Sequence, residues 1–596
     1  NPVGIPTNNG SFHFHKDFRA KPTVAAGAYG IIPKSRAKIG IPKKGDLIIT
    51  IGGRTGRDGI HGATFSSGEM TNRTINTSGS SVQIGNPIEE IRIIDATLEL
   101  SDKGLIRAIT DCGAGGYSSA IGEMAKNVGA VVDLEKVPLK YAGLSPWEIF
   151  LSESQERMVL AISPGNLKKV LSICKEYNVE AAVLGKFDGK KRLVLRYNNK
   201  LVCDIDMKFL HDGLPQRKMV GKTRPRHPEL VSGSKLPSKD TNIEKSWLQI
   251  MSHGNICSKE PVVRMYDHTV QGTNALTPFG GKDQDSPNDG AIVRPFPNKP
   301  YGLVITHGLN PQLNLIDPYL GSVWAILESV SNYVAIGGSL KDAALVDNFI
   351  WPFPDEESLA DLDKAVDACV DMSKILNMPF VSGKDSLSST YRYPDGKTLK
   401  IPPVLLISTY GKIPDVTKTA SSDFKKKNST IVLVGKPDMN SMGGTTYYEN
   451  LNLESPMVPK ADLKTVANVL NSITSSVQEQ KALAVHDISE GGLAVTLAEM
   501  CFGGDMGASI DVSKVSNDRP DLILFSETPA TFLVEVENEK TAKELFAKVP
   551  HTIIGKTETE KNIKVTSGKQ EICKMDLNQL KTIWQKPMKE LFHSEA

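Results

Sequence analysis

No two cysteines in this chain of 596 residues form a C-x-x-C pair, and the seven present, at 112, 174, 203, 257, 369, 501 and 573, are scattered. An odd, dispersed set argues against a disulfide framework or a zinc knuckle. It fits a reducing cytoplasm, with most thiols packed as small hydrophobes. Charge of one sign is also scarce. The net charge is +2 with 23% charged residues, so no global basic field calls for nucleic acid. Long apolar runs are missing; none reaches the roughly 18 residues that a membrane span needs. Residues 1–30 show no charged-then-apolar leader. The length is too great for one core and predicts roughly three to five domains.

What the chain does have is a repeat. Ala484–Val515 (A-V-H-D-I-S-E-G-G-L-A-V-T-L-A-E-M…) has an earlier copy in Ile109–Val137 (I-T-D-C-G-A-G-G-Y-S-S-A-I-G-E-M…). Asp111 aligns with Asp487, Gly115-Gly116 with Gly491-Gly492, and Glu123-Met124 with Glu499-Met500. Each copy predicts strand, glycine turn, helix, strand. The helices rest on Tyr117, Ile121 and Met124 in one copy and Leu493, Leu497 and Met500 in the other, an i, i+4, i+7 apolar face. An Asp at a strand end, two glycines and free N–H groups at a helix start suit a metal-bound phosphate. An ordinary strand-to-helix turn with a capping Asp has the same pattern.

The repeat extends further. Gly45–Ser66 matches Asn428–Glu449 as a buried strand and glycine loop, and Phe150–Ser163 matches Leu524–Glu537. Ile5–Pro33 matches Met378–Pro414, a piece that in the second half closes a domain begun over a hundred residues earlier. The expectation is a chain that starts inside a domain, with the apolar run Thr23–Ile32 in need of strand neighbours. The predicted fold is α+β, a tandem duplication of a two-lobe unit. The predicted divisions are 1–38, closing part of a first smaller lobe; 39–216, first larger α/β lobe; 217–260, linker; 261–418, second smaller lobe; 428–565, second larger α/β lobe; and 566–596, a C-terminal tail in which Asp576–Ala596 reads as a surface helix or frayed end. The run Lys425-Lys426-Lys427 predicts a solvated loop.

The second smaller lobe holds a further constellation. Gly321–Gly338 predicts a helix with Trp324, Leu327 and Ser331 near one face. Glu328 and Asn332, four apart, share another. A carboxylate and an amide oxygen one turn apart are hard ligands suited to Mg²⁺; an exposed Glu and a helix-end Asn read equally from the spacing. Asp289 precedes a short apolar strand, and Asp487 adds a third carboxylate. If these converge, they make an octahedral oxygen site for nucleotide phosphates.

Taken together, D-C-G-A-G-G (111–116), S-E-S-Q-E-R-M (152–158), T-G-R-D-G-I-H-G-A (55–63), Y-D-H-T-V-Q-G (266–272), S-G-K-D-S (382–386) and H-D-I-S-E-G-G-L (486–493) resemble formylglycinamide ribonucleotide amidotransferase, the phosphoribosylformylglycinamidine synthase family of purine biosynthesis. The resemblance spans about residues 1–560. It implies two smaller lobes forming a barrel-like body flanked by two larger lobes. It also implies ATP-driven activation of the substrate's amide oxygen as an iminophosphate, which ammonia from glutamine displaces. It places substrate contacts on Gln83, Glu153, Ser154, Gln155 and Ser386, active-site nucleotide positions on Asp347 and Gly383, and a metal on Asp111. A second, non-turnover nucleotide (ATP or ADP) with Mg²⁺ is implied at Asp289, Glu328, Asn332 and Asp487, with Ser489 touching the nucleotide. The implied partners are formylglycinamide ribonucleotide, a glutaminase domain or subunit, since no nucleophilic-Cys glutaminase motif is present, and the segment expected before Asn1.

Two departures qualify the match. The resemblance places the family's catalytic histidines in the segment expected before Asn1, so His61, His307 and His486, which do not match those positions, receive no catalytic role. Lys384-Asp385 stands where small members carry a metal-binding Asn, and a protonated Lys cannot ligate a metal. Two other readings stay open on the sequence: a nucleotide-holding scaffold without turnover, and another synthetase or kinase of the superfamily, such as selenophosphate synthetase, against which the two-unit length and the lack of a reactive N-terminal Cys both count.

Overall fold

In the computed structural model, which describes residues 3–71, 81, 85–223, 236–238 and 241–593, the two larger lobes repeat each other strand for strand. The first carries β1 (Leu47–Gly52), β2 (Ala108–Asp111), β3 (Ala130–Asp133), β4 (Arg157–Ile162), β5 (Ala181–Lys186), β6 (Arg192–Tyr197) and β7 (Lys200–Asp206), in sheet order β2-β4-β1-β5-β3-β6-β7. The central strand, L-I-I-T-I-G, is β-branched and covered on both faces. Ile48 belongs to one core cluster and Ile49 and Ile51 to the other, as the two-residue period requires.

The second smaller lobe contributes β8 (Asn274–Leu276), the short pair β9 (Phe279–Gly280) and β10 (Ser286–Pro287), then β11 (Ile292–Val293), β12 (Gly302–Gly308), β13 (Ala343–Ile350) and β14 (Phe380–Ser386). The hairpin β15 (Thr390–Arg392) and β16 (Thr398–Lys400) and the long β17 (Val404–Ile413) follow. Its main sheet runs β14-β13-β17-β12-β11-β8. The Pro318–Ala335 helix lies between this sheet and the second larger lobe. Asp317 caps it by accepting from the Tyr319 and Leu320 amides, and Pro318 opens its first turn. Trp324, Leu327 and Ser331 are buried, and Glu328 and Asn332 are the partly open positions of the stretch 321–335.

The second larger lobe supplies β18 (Thr430–Val434), β19 (Ala482–Asp487), β20 (Gly507–Asp511), β21 (Phe532–Val536), β22 (His551–Glu558), β23 (Asn562–Ser567) and β24 (Gln570–Asp576), in the order β19-β21-β18-β22-β20-β23-β24. This is the order of the first lobe with each strand replaced by its sequence counterpart, so the duplication read from the sequence holds in space. The details repeat too. A bulge lies between Ile48 and Ile49 and again between Ile431 and Val432. Gly52 and Gly435 take φ of 102° and 100°, and the non-glycine pair Glu156 and Ala530 take 53° and 56°. At Gly435 a Cβ would meet the Ala530 carbonyl oxygen at 2.9 Å, so glycine is required twice over.

Three expectations change. The predicted linker 217–260 contains the Ile243–Met251 helix, whose Trp247, Ile250 and Met251 are buried in the second larger lobe's core. Its amphipathic spacing decides this over the polar residues around it. The predicted C-terminal tail holds β24, an edge strand of the second larger lobe's sheet, and the helix expected after Asp576 is present as Leu577–His593, anchored by buried Leu580, Trp584 and Met588, with the Trp584 indole donating to the Ile256 carbonyl at 3.1 Å. The run Thr23–Ile32 forms no strand, because no described segment offers it a ladder; Tyr29 instead meets Tyr410 edge-on at 6.1 Å. Lys425 and Lys426 do form a surface turn, but their amides grip the buried Glu535 carboxylate at 2.7 and 2.9 Å. Among the described residues no helix is long and apolar enough to cross a membrane.

Candidate metal and nucleotide sites

The glycine turns differ from the sequence expectation. Their amides are not free: Gly115 N–H donates to Glu153 Oε1 at 2.9 Å, and Gly491 N–H donates to Glu527 Oε1 at 2.8 Å. The same two oxygens accept from Ala63 and Thr446, at 3.0 and 2.9 Å, at the start of the short helix after each glycine loop. Glu153 and Glu527 are therefore one structural device used twice. Each ties the strand-to-helix turn to the glycine loop, and sequence reading missed Glu527 although S-E-T aligns with S-E-S. Burial pushes Glu527 up to about 8 despite these amides, and its Oε2 has no partner.

In the first half, Asp111 ends β2 with its side chain open. The E-S-Q loop beside it is rigid. Ser154 is fully buried, its hydroxyl accepting from Gly56 N–H at 3.0 Å and pairing with Ser152 at 3.0 Å. Gln155 Nε2 donates to the Glu153 carbonyl at 3.3 Å. The buried Arg157 guanidinium donates to the Ser154 and Ser152 carbonyls and to Thr55 Oγ1, at 2.7, 2.5 and 2.8 Å, and lies over the Tyr117 ring at 4.6 Å. Gln83 lies outside the described residues.

Asp347 and Gly383 face each other across the parallel β13–β14 pair, and Ser386 ends β14. A side chain at 383 would collide with the Asp347 carboxylate, so the glycine makes room for it. Burial raises the Asp347 carboxyl, and neighbouring Asp385 adds to this. Just beyond Ser386 the chain docks on the first half. Met70 N–H donates to the Thr390 carbonyl at 3.1 Å, Arg392 N–H to the Met70 carbonyl at 2.9 Å, and the Arg392 fork holds both Glu69 oxygens at 2.9 Å. The stretch just after Ser386 is thus joined to the first half through the segment that follows T-G-R-D-G-I-H-G-A.

The second half brings four predicted ligands into one cluster. Asp487 ends β19, Asp289 comes from the turn before β11, and Glu328 and Asn332 come from one helix face. Asn332 Nδ2 donates to Glu328 Oε1 at 3.1 Å and to the His307 carbonyl at 3.2 Å. Asp487 N–H reaches Asp289 Oδ1 at 3.5 Å. Ser489 Oγ donates to Glu490 Oε2 at 2.6 Å. The outer oxygens of Asp289 and Asp487 are buried without a partner. Burial, then Glu328 and Asp289, drive the Asp487 carboxyl well above the ordinary range; burial, then Glu490, pushes Glu328 up to about 8. Asp289, His486 and Asp487 offer ligand atoms within 4.8 Å of one another, and among the described residues no other such group of three occurs. His486 was left without a role by the sequence reading. Burial opposes its charge, yet Asp289 and Glu499 hold it up to about 10. The set of orphaned, mutually repelling oxygens fits a hard divalent cation.

The family description "AIR synthase related protein, C-terminal domain" matches residues 43–198 and 426–568, one match per larger lobe, and "FGAR-AT PurM_N-like domain" matches 258–412. The phosphoribosylformylglycinamidine synthase subunit PurL of Thermoplasma acidophilum is 33% identical over 541 residues, 90% of this chain and 69% of that protein. The PurL subunit of Deinococcus radiodurans is 30% identical over 605 residues, 99% of this chain and 79% of that one. Among solved structures, T. maritima PurL complexed with FGAR superposes with a TM-score of 0.64 at 25% identity, covering 87% of this chain and 73% of that one. The PurLQS structure from Thermotoga maritima gives 0.66 at 24% identity, covering 94% and 79%. One fold twice over, long matches at this level of identity and the family's own domain descriptions agree: the chain belongs to the phosphoribosylformylglycinamidine synthase subunit PurL family of ATP-dependent ligases.

Proposed function

We propose that this chain converts formylglycinamide ribonucleotide to formylglycinamidine ribonucleotide in the first half and holds a second nucleotide in the second. The substrate's amide oxygen attacks the γ-phosphorus of ATP. An O–P bond forms, the bond to ADP breaks, and an iminophosphate results. Ammonia then adds to the activated carbon and phosphate leaves, giving the amidine. Solved relatives are complexed with FGAR and with ATP, which supports this substrate pair. The ammonia comes from glutamine through a glutaminase partner; a relative's PurLQS assembly supports a multi-subunit arrangement. The seven free cysteines fit a reducing cytoplasm.

In this reading Glu153 shapes the substrate pocket by fixing the turn at Gly115 and the helix at Ala63, and Gln155 and Ser386 touch substrate. Ser154 contributes through its backbone, since its hydroxyl is engaged inside. Asp347 and Gly383 bind the reacting nucleotide, and Asp111 holds its metal. The observation that carries the second-half site is the convergence of four hard donors in one buried cluster. Asp487 sits among Asp289, Glu328 and Asn332 with orphaned oxygens. Asp289, Glu328, Asn332 and Asp487 would hold Mg²⁺, which when bound supplies the positive charge that carboxylates and nucleotide phosphates share. Ser489 turns from Glu490 toward the nucleotide. The test is product formation from formylglycinamide ribonucleotide, ATP and ammonium by the wild type and by Asp111→Asn and Asp487→Asn. Loss of turnover in the first alone supports the assignment. A wild type that retains nucleotide yet forms no product favours a holding scaffold.

A further inference from the structure

We infer that His486 is a positioning residue of the second-half metal site, not one of its ligands: it orients Asp289 so that one carboxylate oxygen faces the cation. This rests on the metal reading proposed above and goes beyond its four ligands.

Geometry alone groups His486 with Asp289 and Asp487 as a possible ligand triad. Its ring nitrogens are already engaged. Nδ1 lies 2.7 Å from Asp289 Oδ1, and Nε2 lies 3.1 Å from Glu499 Oε2. Its Nδ1 is 3.8 Å from Asp487 Oδ1, outside hydrogen-bond range. Each ring nitrogen is occupied by a carboxylate oxygen, Nδ1 by Asp289 and Nε2 by Glu499, which leaves neither open to a metal. Asp289 shows the consequence. Its Oδ1 receives the His486 ring and the Asp487 amide, while its Oδ2 is buried and unpartnered. Asp487 Oδ2 is orphaned in the same way. The imidazole therefore fixes which oxygen of Asp289 remains available, and Glu499 fixes the imidazole. This is the hydrogen-bonded outer shell that metal carboxylates commonly carry.

The other half supplies an internal control. The position matching His486 is Thr110, beside Asp111, while the Glu499 counterpart Glu123 is kept. The strand registers agree, Asp111 opposite Met158 and Asp487 opposite Phe532. So the locking imidazole belongs to the half assigned to holding, and the half assigned to turnover lacks it. A rigid ligand suits retention of one metal–nucleotide pair; an unlocked Asp suits a site that must release product.

The test uses the full chain in an Asp111→Asn background, so that only the second-half site is read, with Mn²⁺ and ADP as probes. Pulsed EPR of bound Mn²⁺ should show no directly coordinated nitrogen from protein imidazole. Mn²⁺ affinity should fall about 10- to 100-fold in His486→Leu, while His486→Asn, which retains a donor toward Asp289, should recover most of it. Directly bonded imidazole nitrogen in the wild-type spectrum overturns the inference, and this measurement needs no His486 variant to fold. Unchanged affinity in a folded His486→Leu protein also overturns it, provided Asp487→Asn abolishes binding; in that case the metal site stands and the positioning role falls. If the Asp111→Asn protein binds no Mn²⁺ with ADP, the site itself is refuted and the inference falls with it.

Discussion

Asp487→Asn should leave the ligand-free protein nearly as stable as the wild type and remove the stabilisation that Mg²⁺ and ADP provide. Asn has almost the size and shape of Asp. Asp487 Oδ2 is buried and has no hydrogen-bond partner, so exchanging it for an amide nitrogen breaks no bond seen in the structure. The exchange also removes a carboxyl group that burial, then Glu328 and Asp289, already hold toward its neutral form. Both effects keep the melting temperature of the ligand-free variant close to that of the wild type, or slightly above it. With ligand the sign reverses. A ligand at 100 times its dissociation constant stabilises the folded state by about 2.7 kcal/mol. For a lobe of this size that is roughly 5–10 °C in melting temperature. Calorimetry of both proteins, stripped of nucleotide and then titrated with Mg²⁺ and ADP, reads each half of the statement. A variant that loses several degrees without ligand, or that gains as much as the wild type with it, refutes the reasoning. The first result makes Asp487 a structural residue, and the second means that it holds no metal.

Asp111→Asn should abolish product formation while shifting the ligand-free melting temperature by no more than a degree or two, because Asp111 is open to solvent; kinetics with ammonium and a thermal scan check both parts. Arg157→Lys should raise the KM for formylglycinamide ribonucleotide more than that for ATP and destabilise the chain by about 2–3 kcal/mol, since a lysine cannot reproduce three donors in one plane at Ser154, Ser152 and Thr55. Glu527→Gln should flatten the pH dependence of stability. Burial pushes the folded carboxyl up to about 8 from its ordinary value of 4.5, so its neutral form favours folding at low pH and that contribution fades as pH rises from about 4.5 to 8. Urea melts of wild type and variant should agree at the acid end of that window, where both side chains are neutral, and separate toward the alkaline end, the wild type losing stability that the variant keeps, if burial of the charge is what matters.

Local chemistry was legible where it repeats. The two glycine turns, their helices and the aspartates before them stand out because the same spacing occurs twice, and the matching strand orders follow from it. Glu328 and Asn332 were legible because helical spacing puts i and i+4 on one face, and these are the partly open positions of its stretch 321–335. The use of the turn amides was not legible. Whether a glycine N–H awaits a phosphate or already meets a carboxylate depends on Glu153 and Glu527, which approach from strand ends 36 or more residues away in sequence. The Ile243–Met251 helix was lost inside a polar stretch because its own periodicity covers barely three turns.

The sequence by itself determined the duplication, the type of each repeated element and the residue types able to bind metal and phosphate, because these follow from periodicity and from the chemistry of single side chains. Tertiary structure alone decided which of them act together. Asp289 and His486 are 197 residues apart in the chain and 2.7 Å apart in the fold. No local pattern encodes that distance; it arises when the Pro318–Ala335 helix is buried between the smaller lobe's sheet and the second larger lobe. The same packing closed a carboxylate cluster around Asp487 from residues that stand far apart in the chain.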